Sequence, residues 1–277
     1  MASQTEEYVP GAGLDMARMP GHWLLARMGK RVLRPGGLEL TRRMLDALAL
    51  NARDHVVEFA PGLGVTARMA LQARPASYLG IEREEAAAAR VRTFLDYPNY
   101  RCLVGSAEET GLEEASATVV YGEAMLTMYT PGQKARIVRE AYRILKPGGR
   151  YGIHELGLTP DSLDEAVKEA VLRDLSAAIH VGARPLTASE WRAVLEAEGF
   201  QVRETFTAPM HLLEPGRLIQ DEGLGRALRI VFNILRTPPA RKRVLAMRRV
   251  FRTHQAHLTA IALIAVKPVI ESADRHA

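Results

Sequence analysis

The chain of 277 residues is long enough to bury a sizeable core, and 47% of its residues are hydrophobic and 25% are charged. This composition is that of a soluble globular protein and excludes a collagen-like or disordered chain. The 37 Lys and Arg residues outnumber the 32 Asp and Glu residues by only five. The resulting charge of +5 does not by itself indicate a nucleic-acid partner.

The ends of the chain and its cysteine content bear on its compartment. Residues 1–9 are polar and lack the basic start and apolar run of a secretory signal. No uninterrupted apolar stretch is long enough to span a bilayer, so we expect no membrane insertion. The single cysteine, Cys102, excludes an intramolecular disulfide. Together these features predict a cytoplasmic protein.

The chain opens with a predicted flexible arm over residues 1–19, followed by predicted helices over 21–33 and 38–50. This part of the chain is basic, with cations at Arg27, Lys30, Arg31, Arg34, Arg42 and Arg43. Two interpretations stay open for these cations, a solvated helix face and a binding patch.

Seven later segments have the length and apolar content of strands and alternate mostly with helical patterns. The predicted strands are residues 54–60, 77–82, 100–105, 117–122, 151–156, 200–207 and 257–266. This alternation predicts an α/β fold with a doubly wound, mostly parallel sheet.

A glycine-rich turn follows the first predicted strand, in the sequence Glu58-Phe59-Ala60-Pro61-Gly62-Leu63-Gly64, and a helix follows the turn. Such a turn places backbone N–H groups and a helix N-terminus at the carboxyl end of the sheet, where α/β folds bind nucleotides. No Gly-Lys-Ser/Thr follows, so the turn is not a phosphate-binding Walker loop. Glu58 would repel a pyrophosphate and would suit a ligand that carries an ammonium group.

An acid, Glu82, ends the second predicted strand at nearly the spacing from the turn that a mononucleotide-binding unit requires. Its carboxylate can accept hydrogen bonds from both hydroxyls of a ribose. The alternative is an acid that caps the following helix. Glu82 does not distinguish an adenosyl group from a nicotinamide cofactor.

A third signal is the stretch from Leu145 to Gly149, Leu-Lys-Pro-Gly-Gly, which separates a predicted helix over 133–146 from the fifth predicted strand. Proline cannot continue the helix, and the glycines turn the chain into the strand. With the glycine turn and Glu82, this stretch makes residues 38–156 resemble a class I S-adenosylmethionine (SAM) dependent methyltransferase of the small-molecule type. Ala60 replaces the first glycine of that family's Glu/Asp-x-Gly-x-Gly-x-Gly motif.

The resemblance implies SAM as cofactor, a Rossmann-like sheet of seven strands, and no metal. It implies cofactor contacts from the first turn, from the end of the second strand and from the segments that follow the third and fourth strands. The residues so implied are Glu58, Ala60, Pro61, Gly62, Gly64, Glu82, Arg83, Ser106, Ala107, Glu108, Glu123 and Ala124. Ser106 stands where the family often has an acid near the adenine, so an acidic contact there would have to come from Glu108.

Two ionisable residues, Glu123 and His154, fall at carboxyl ends of predicted strands and are the candidate catalytic residues. A base is needed only if the methyl acceptor must lose a proton. A histidine at such a position is a plausible general base, and the alternative is a structural histidine. Glu123 is better suited to the cofactor side of the site than to the role of base.

The connection between the last two predicted strands, residues 209–255, is far longer than an ordinary loop and has helical periodicity with a basic cluster from Arg241 to Arg249. We therefore predict an N-terminal arm and helix over 1–37 and a methyltransferase domain over 38–277 with a helical insertion before the last strand. The insertion is expected to cover the cofactor's open side or to join two subunits in a homodimer.

Three functional interpretations remain. The first is methyl transfer to a small molecule. The second is methyl transfer to RNA, which the basic helices suggest. The sequence Gly122-Glu123-Ala124-Met125 stands where many base-methylating enzymes have Asn/Asp-Pro-Pro-Tyr, so a nucleic-acid partner is the weaker expectation. The third is a SAM-binding module without turnover.

Overall fold

A computed structural model describes residues 14–269 of the chain, and residues 1–13 of the predicted arm and 270–277 lie outside the described residues. Its strands form one sheet. They are β1 (His55–Phe59), β2 (Ser77–Glu82), β3 (Tyr100–Val104), β4 (Ala117–Glu123), β5 (Leu145–Leu158), β6 (Leu186–Thr187), β7 (Gln201–Pro209) and β8 (Leu258–Val266).

The sheet has the strand order β3-β2-β1-β4-β5-β8-β7, and the two-residue β6 pairs with β5 beyond this path. The strands from β3 to β5 run parallel, whereas β8 is antiparallel to both β5 and β7. The predicted fold class is confirmed, and β6 is an addition to the seven predicted strands. The order reverses at β1, so β1 and β4 lie side by side where ligands bind in such sheets.

Ten α-helices accompany the strands in the described part of the chain. They are α1 (Gly21–Arg27), α2 (Gly37–Leu48), α3 (Val65–Ala70), α4 (Glu85–Arg92), α5 (Pro131–Ile144), α6 (Glu165–Ile179), α7 (Ala188–Glu196), α8 (Pro215–Glu222), α9 (Leu224–Arg236) and α10 (Pro238–Thr253). The last three fill most of the predicted insertion.

Helices cover both faces of the sheet because the central strands are apolar on both sides. From β8, Ala260 and Ala262 pack with α2, whose Leu40, Met44 and Leu48 are fully buried one turn apart. The alternate residues of β8 enter the core formed with α5 and α7 on the opposite face. A strand buried on both faces needs the continuous apolar run that the sequence shows at this point.

Three element boundaries differ from the sequence predictions for local reasons. Ala117 pairs with Leu145 and Val119 with Arg150, so residues 146–149 bulge out of β5 instead of forming a turn before it. The helix predicted from 21 ends at Arg27, because Gly29 takes a left-handed conformation. The predicted helix over 218–235 is broken into α8 and α9 at Gly223.

A further apolar core lies beyond the sheet. It joins α1 to α9 and α10 through buried residues that include Leu24, Leu25, Ile230, Val244 and Met247. The insertion therefore packs against the N-terminal helix. Within residues 14–269, no helix combines the length and apolar character needed to cross a bilayer.

Candidate active site

A cavity of about 660 Å³ opens at the carboxyl ends of β1, β2 and β4. One half of its wall is polar and comes from the turn after β1, the end of β2 and the segment after β4. The other half is apolar and comes mainly from helices and from loops beyond the sheet, with Trp23, Leu25, Leu156, Leu175, Met247 and Phe251 among its residues. Its size is that of a site for one or two small organic molecules.

The glycine turn forms the floor of the polar half. Gly62 has φ +55°, and a side chain added there would meet no atom closer than 3.9 Å, so its backbone is open to a ligand. Gly64 has φ +73°, and a side chain there would collide with Phe94. Ala60 takes the same left-handed region at φ +54°, where most sequences of this motif have glycine and where Ala is strained.

Glu82 fixes the shape of this turn from the end of β2. Its Oε2 accepts the N–H of Gly62 at 2.9 Å, and its Oε1 accepts those of Arg83 and Glu84 at 2.8 and 3.1 Å. The side chain is almost fully buried, and this burial raises its pKa, although the three N–H groups oppose the shift. The carboxylate lines the cavity beside the turn.

Glu123, at the end of β4, is the centre of a buried charged network. Its Oε1 accepts the hydroxyl of Thr41 at 2.6 Å and lies 2.7 Å from Nδ1 of His154. Its Oε2 accepts the hydroxyl of Thr66 and pairs with the Arg34 guanidinium at 3.2 Å. Burial alone would raise the pKa of Glu123, but the charge of Arg34 and the hydrogen bond with His154 outweigh it and lower that pKa to about 2.

His154 does not face the cavity. Its side chain is fully buried, and its Nε2 lies 2.6 Å from the carbonyl oxygen of Pro35. The Glu123 carboxylate and the Pro35 carbonyl both accept hydrogen bonds, so both ring nitrogens of His154 are engaged within the protein. With both ring nitrogens engaged and no cavity face, His154 is not placed to act as the general base that its predicted strand-end position suggested.

Glu58 also lies away from the cavity. It shares a face of β1 with Val56, and its Oε2 accepts the hydroxyls of Tyr78 at 2.6 Å and Tyr121 at 2.8 Å. Burial is the main cause that raises the pKa of Glu58 to about 7, against the two tyrosine hydrogen bonds. The carboxylate of Glu58 is therefore not placed to contact the ammonium group of a ligand bound in the cavity. The next residue of β1, Phe59, faces the opposite side because side chains alternate.

The expected adenine-side residues are not brought to the cavity either. Ala107 is buried in the core with Phe59 and Ile81. Glu108 forms an ion pair with Arg136 of α5 at 2.6 Å, and the Ser106 hydroxyl accepts the N–H of Glu108. These partners explain why neither carboxylate nor hydroxyl lines the cavity.

Seven of the sequence-predicted residues do meet at the cavity wall. They are Ala60, Pro61, Gly62, Glu82, Arg83, Glu123 and Ala124. They come from three strand ends that are far apart in sequence, and the parallel register of β2, β1 and β4 brings them to one edge. No group of three or more His, Cys, Asp or Glu residues within 14–269 is arranged to hold a metal ion.

The structure adds two residues that sequence reasoning missed, both on the N-terminal segment. Arg34 lines the cavity, and its buried Nε and Nη2 have no hydrogen-bond partner among residues 14–269. His22 of α1 lines the apolar half, where burial lowers its pKa to about 4, so its ring is neutral at pH 7. The basic composition of residues 27–43 was the available signal for Arg34, whereas no sequence pattern indicated His22.

Residues 56–149 match the family model described as a methyltransferase domain. The solved structure of a phosphoethanolamine N-methyltransferase 2 from Haemonchus contortus, in complex with phosphomonomethylethanolamine and S-adenosylhomocysteine, superposes with a TM-score of 0.69. The two are 16% identical, and the match covers 90% of this chain and 57% of the other. The family match covers residues 56–149 only, and the superposition establishes the fold that this chain shares with that methyltransferase.

Two further proteins are similar to this chain. The [4+2]-cyclase SpnF has a TM-score of 0.69 and 16% identity, over 89% of this chain and 92% of SpnF. An uncharacterized protein of Haemophilus influenzae is 28% identical over 250 residues, which are 87% of this chain and 96% of that protein. At such identities the structural matches establish the shared fold and not a shared substrate.

Proposed function

We propose that this protein transfers a methyl group from SAM to a small, largely apolar acceptor molecule. The observation that carries the proposal is the division of one cavity into a polar half at the strand ends and an apolar half beneath α1, α6 and α10. The polar half suits a charged nucleoside cofactor, and the apolar half would bury an acceptor of matching chemistry. A cytoplasmic location stays part of this proposal.

The polar half fits SAM in three respects. The exposed backbone at Gly62 allows close approach of a ligand. The carboxylate of Glu82 lies where it can accept the hydroxyls of a ribose. The cation of Arg34 lines the cavity and suits a carboxylate like that of the cofactor's methionine part.

The charges of the polar half support this role for Arg34. The Glu123 carboxylate is shared between Arg34 and His154, so it does not hold the guanidinium of Arg34 exclusively. Arg34 would therefore hold the anionic end of the cofactor, and Glu123 would hold Arg34 in place. Glu123 acts in this proposal as a positioning residue.

When bound, SAM supplies a methyl group on a sulfonium, which an acceptor nucleophile displaces in line. The chain's contribution is to orient the acceptor and to exclude water from it. Met247 and Phe251 of α10, in the insertion, and Trp23 of α1 line the apolar half and would cover it. The insertion over 209–255 thus serves as the cover of the site in this proposal, as its position in the sequence suggested.

If the acceptor must lose a proton, His22 is placed to take it. It is the only histidine among residues 14–269 that lines the cavity, and its ring is neutral at pH 7. It stacks at a tilt on Trp23, with 4.6 Å between ring centroids, which holds the imidazole in the apolar half. A neutral imidazole in a water-poor site can accept a proton directly from a bound acceptor.

The neighbours named for small substrates, such as the Haemonchus contortus enzyme crystallised with phosphomonomethylethanolamine, support a small acceptor. Two alternatives remain from the sequence, an RNA acceptor and a SAM-binding module without turnover. That SpnF, with the same fold, is named a cyclase shows that the fold alone does not decide the reaction.

The proposal is tested with SAM that carries a radiolabelled methyl group. The full chain is incubated with a cell extract that has been separated into an organic-solvent fraction, an aqueous small-molecule fraction and RNA. We expect the label to be transferred into the organic fraction, because the half of the cavity that we assign to the acceptor is apolar. Label in RNA alone would support the RNA alternative, and no transfer despite SAM binding would support the non-catalytic one.

The same assay examines His22. For an acceptor that must lose a proton, we expect His22→Ala to lower the rate of transfer by about a hundredfold, the usual contribution of a general base. Binding of S-adenosylhomocysteine should be unchanged, because His22 lies in the apolar half. The matched control is His180→Ala, at the exposed C-terminus of α6, which should transfer the label at the normal rate. A normal rate for His22→Ala would remove His22 from the mechanism.

A further inference from the structure

The helix α9 has two apolar faces, of which only one is packed. Ala227 and Ile230 are buried in the core with α1 and α10. A second row is exposed, with Leu224 and Leu228 each 61% accessible, Phe232 54% and Leu235 57%. At about 100° per residue these side chains fall within an arc of roughly 100° along the whole length of α9. We call this row the α9 stripe.

The α9 stripe lies in a segment of one charge sign. Residues 224–253 contain eight arginines and one lysine and no acidic residue. Some of these cations are satisfied by the protein, such as Arg243 on the carbonyl of Met19 and the pair Arg248 and Arg252 on Glu214. Five others are exposed and form no ion pair within residues 14–269, namely Arg229, Arg236, Arg241, Lys242 and Arg249.

The cations lie next to the stripe. Arg229 and Arg236 follow Leu228 and Leu235 on the helix, at the exposed border of the stripe, and the Arg236 guanidinium lies 5.2 Å from the ring centroid of Phe232. Lys242 and Arg241 begin the exposed face of α10, which also presents Leu245 at 55% accessibility. The surface is thus an apolar ridge with cations beside it.

From this combination we propose that α9 and the start of α10 dock on an anionic lipid surface. An amphipathic helix of this kind lies in the plane of a bilayer interface, with apolar side chains among the acyl chains and cations on the lipid phosphates. Both the apolar row and the cations beside it then have a binding partner in the lipid. The docking is interfacial and needs no membrane-spanning helix.

A second copy of the chain or a nucleic acid would complement only part of this surface. Two copies paired through their α9 stripes would bury the apolar row but would bring two sets of unpaired cations together, which like-charge repulsion disfavours. A nucleic acid would meet the cations but would leave Leu224, Leu228 and Leu235 exposed to solvent without a stacking role. A lipid surface accounts for the row of leucines and the cations together.

Docking at this place bears on access to the cavity, although it does not depend on the identity of the acceptor. Met247 and Phe251 of α10 and Trp23 of α1 line the apolar half of the cavity. These helices pack directly against α9. A bilayer that holds α9 would therefore lie beside the elements that cover the apolar half, from which an apolar acceptor could be delivered.

The test is co-sedimentation of the full chain with vesicles. We expect binding to vesicles of phosphatidylcholine with phosphatidylglycerol, much weaker binding to phosphatidylcholine alone, and a loss of binding as salt is raised. The double variant Leu228→Asp with Phe232→Asp should reduce the partition coefficient by roughly a hundredfold, about tenfold for each apolar side chain withdrawn from lipid.

The matched control is Tyr97→Asp with Val104→Asp, which adds the same charge at two exposed apolar positions outside the insertion and should sediment like the parent protein. A third variant, Arg241→Gln with Lys242→Gln, leaves the stripe intact and should reduce binding to anionic vesicles only. Because all these residues are exposed, the variants should keep the thermal unfolding midpoint of the parent.

Three results would overturn the proposal. One is a parent protein that does not bind anionic vesicles at low salt. Another is a parent dimer that the double aspartate variant converts to a monomer while vesicle binding stays unchanged, since the stripe would then join two copies. Vesicle binding that the stripe variant and the control reduce equally would also contradict a role for α9.

Discussion

Replacing Glu123 by alanine should lower the free energy of unfolding by about 3–5 kcal/mol. Its carboxylate is buried and accepts from Arg34, His154 and two threonine hydroxyls. Removing it leaves the Arg34 guanidinium buried without its counter-charge, which is the costly way to break a buried ion pair. The measurement is urea unfolding of the parent and the variant at pH 7.

The pH dependence of this difference has a defined sign. The pKa of Glu123 in the folded protein is lowered from 4.5 to about 2, so its contribution is present above pH 4.5 and is lost as pH falls toward 2. The parent and Glu123→Ala should therefore converge in stability at low pH. Glu108→Gln, which breaks an ion pair with the half-exposed Arg136, is the control and should cost less than about 1 kcal/mol. If Glu123→Ala also lowered the free energy of unfolding by less than about 1 kcal/mol, the result would contradict the buried network around Glu123.

Replacing Glu58 by glutamine should stabilise the protein at pH 8 by up to about 3 kcal/mol, at roughly 1.4 kcal/mol for each unit of pKa shift. The carboxyl is fully buried, and its pKa is raised from 4.5 to about 7. Between these two pH values the unfolded chain releases the proton while the folded protein keeps it. Stability from this group therefore falls as pH rises from about 4.5 to 7 and is constant above that.

Glutamine has nearly the same shape and can still accept the hydroxyls of Tyr78 and Tyr121, but it has no charge to bury. The variant and the parent should thus be close in stability at pH 5 and diverge up to pH 7, as measured by urea unfolding at each pH. Glu113→Gln, at an exposed position, should leave the pH profile unchanged. Equal pH profiles for the parent and Glu58→Gln would show that Glu58 is ionised in the folded protein.

The sheet and the polar half of the cavity could be predicted because the sequence signals for them are local. The turn from Ala60 to Gly64 and the acid at Glu82 follow from spacing along one strand-turn-helix unit and the next strand. The parallel register then brings the ends of β1, β2 and β4 together without further information. The bulge at residues 146–149 was visible as Lys-Pro-Gly-Gly, although its pairing within β5 was not.

The parts that could not be predicted depend on contacts between distant segments. The sequence predicted His154 at a strand end, whereas it lies inside β5, and its Nε2 faces the carbonyl of Pro35, 119 residues away. The segment that carries Arg34 and Pro35 is itself held by the insertion, where Glu222 of α8 accepts the N–H groups of Arg31 and Val32. Periodicity in a sequence reports which face of an element is apolar and not which distant loop covers it.

Calorimetric titration with S-adenosylhomocysteine tests the central claim, that the cavity at the ends of β1, β2 and β4 holds the methyl donor, most directly. We predict binding at micromolar or tighter affinity to the parent protein. Glu82→Ala should weaken it by tenfold or more, because each charge-assisted hydrogen bond to a ribose hydroxyl contributes about 1.5–3 kcal/mol. Glu85→Ala, beside it on the exposed start of α4, should bind normally. Binding of NAD in place of S-adenosylhomocysteine, or an unchanged affinity in Glu82→Ala, would contradict the assignment.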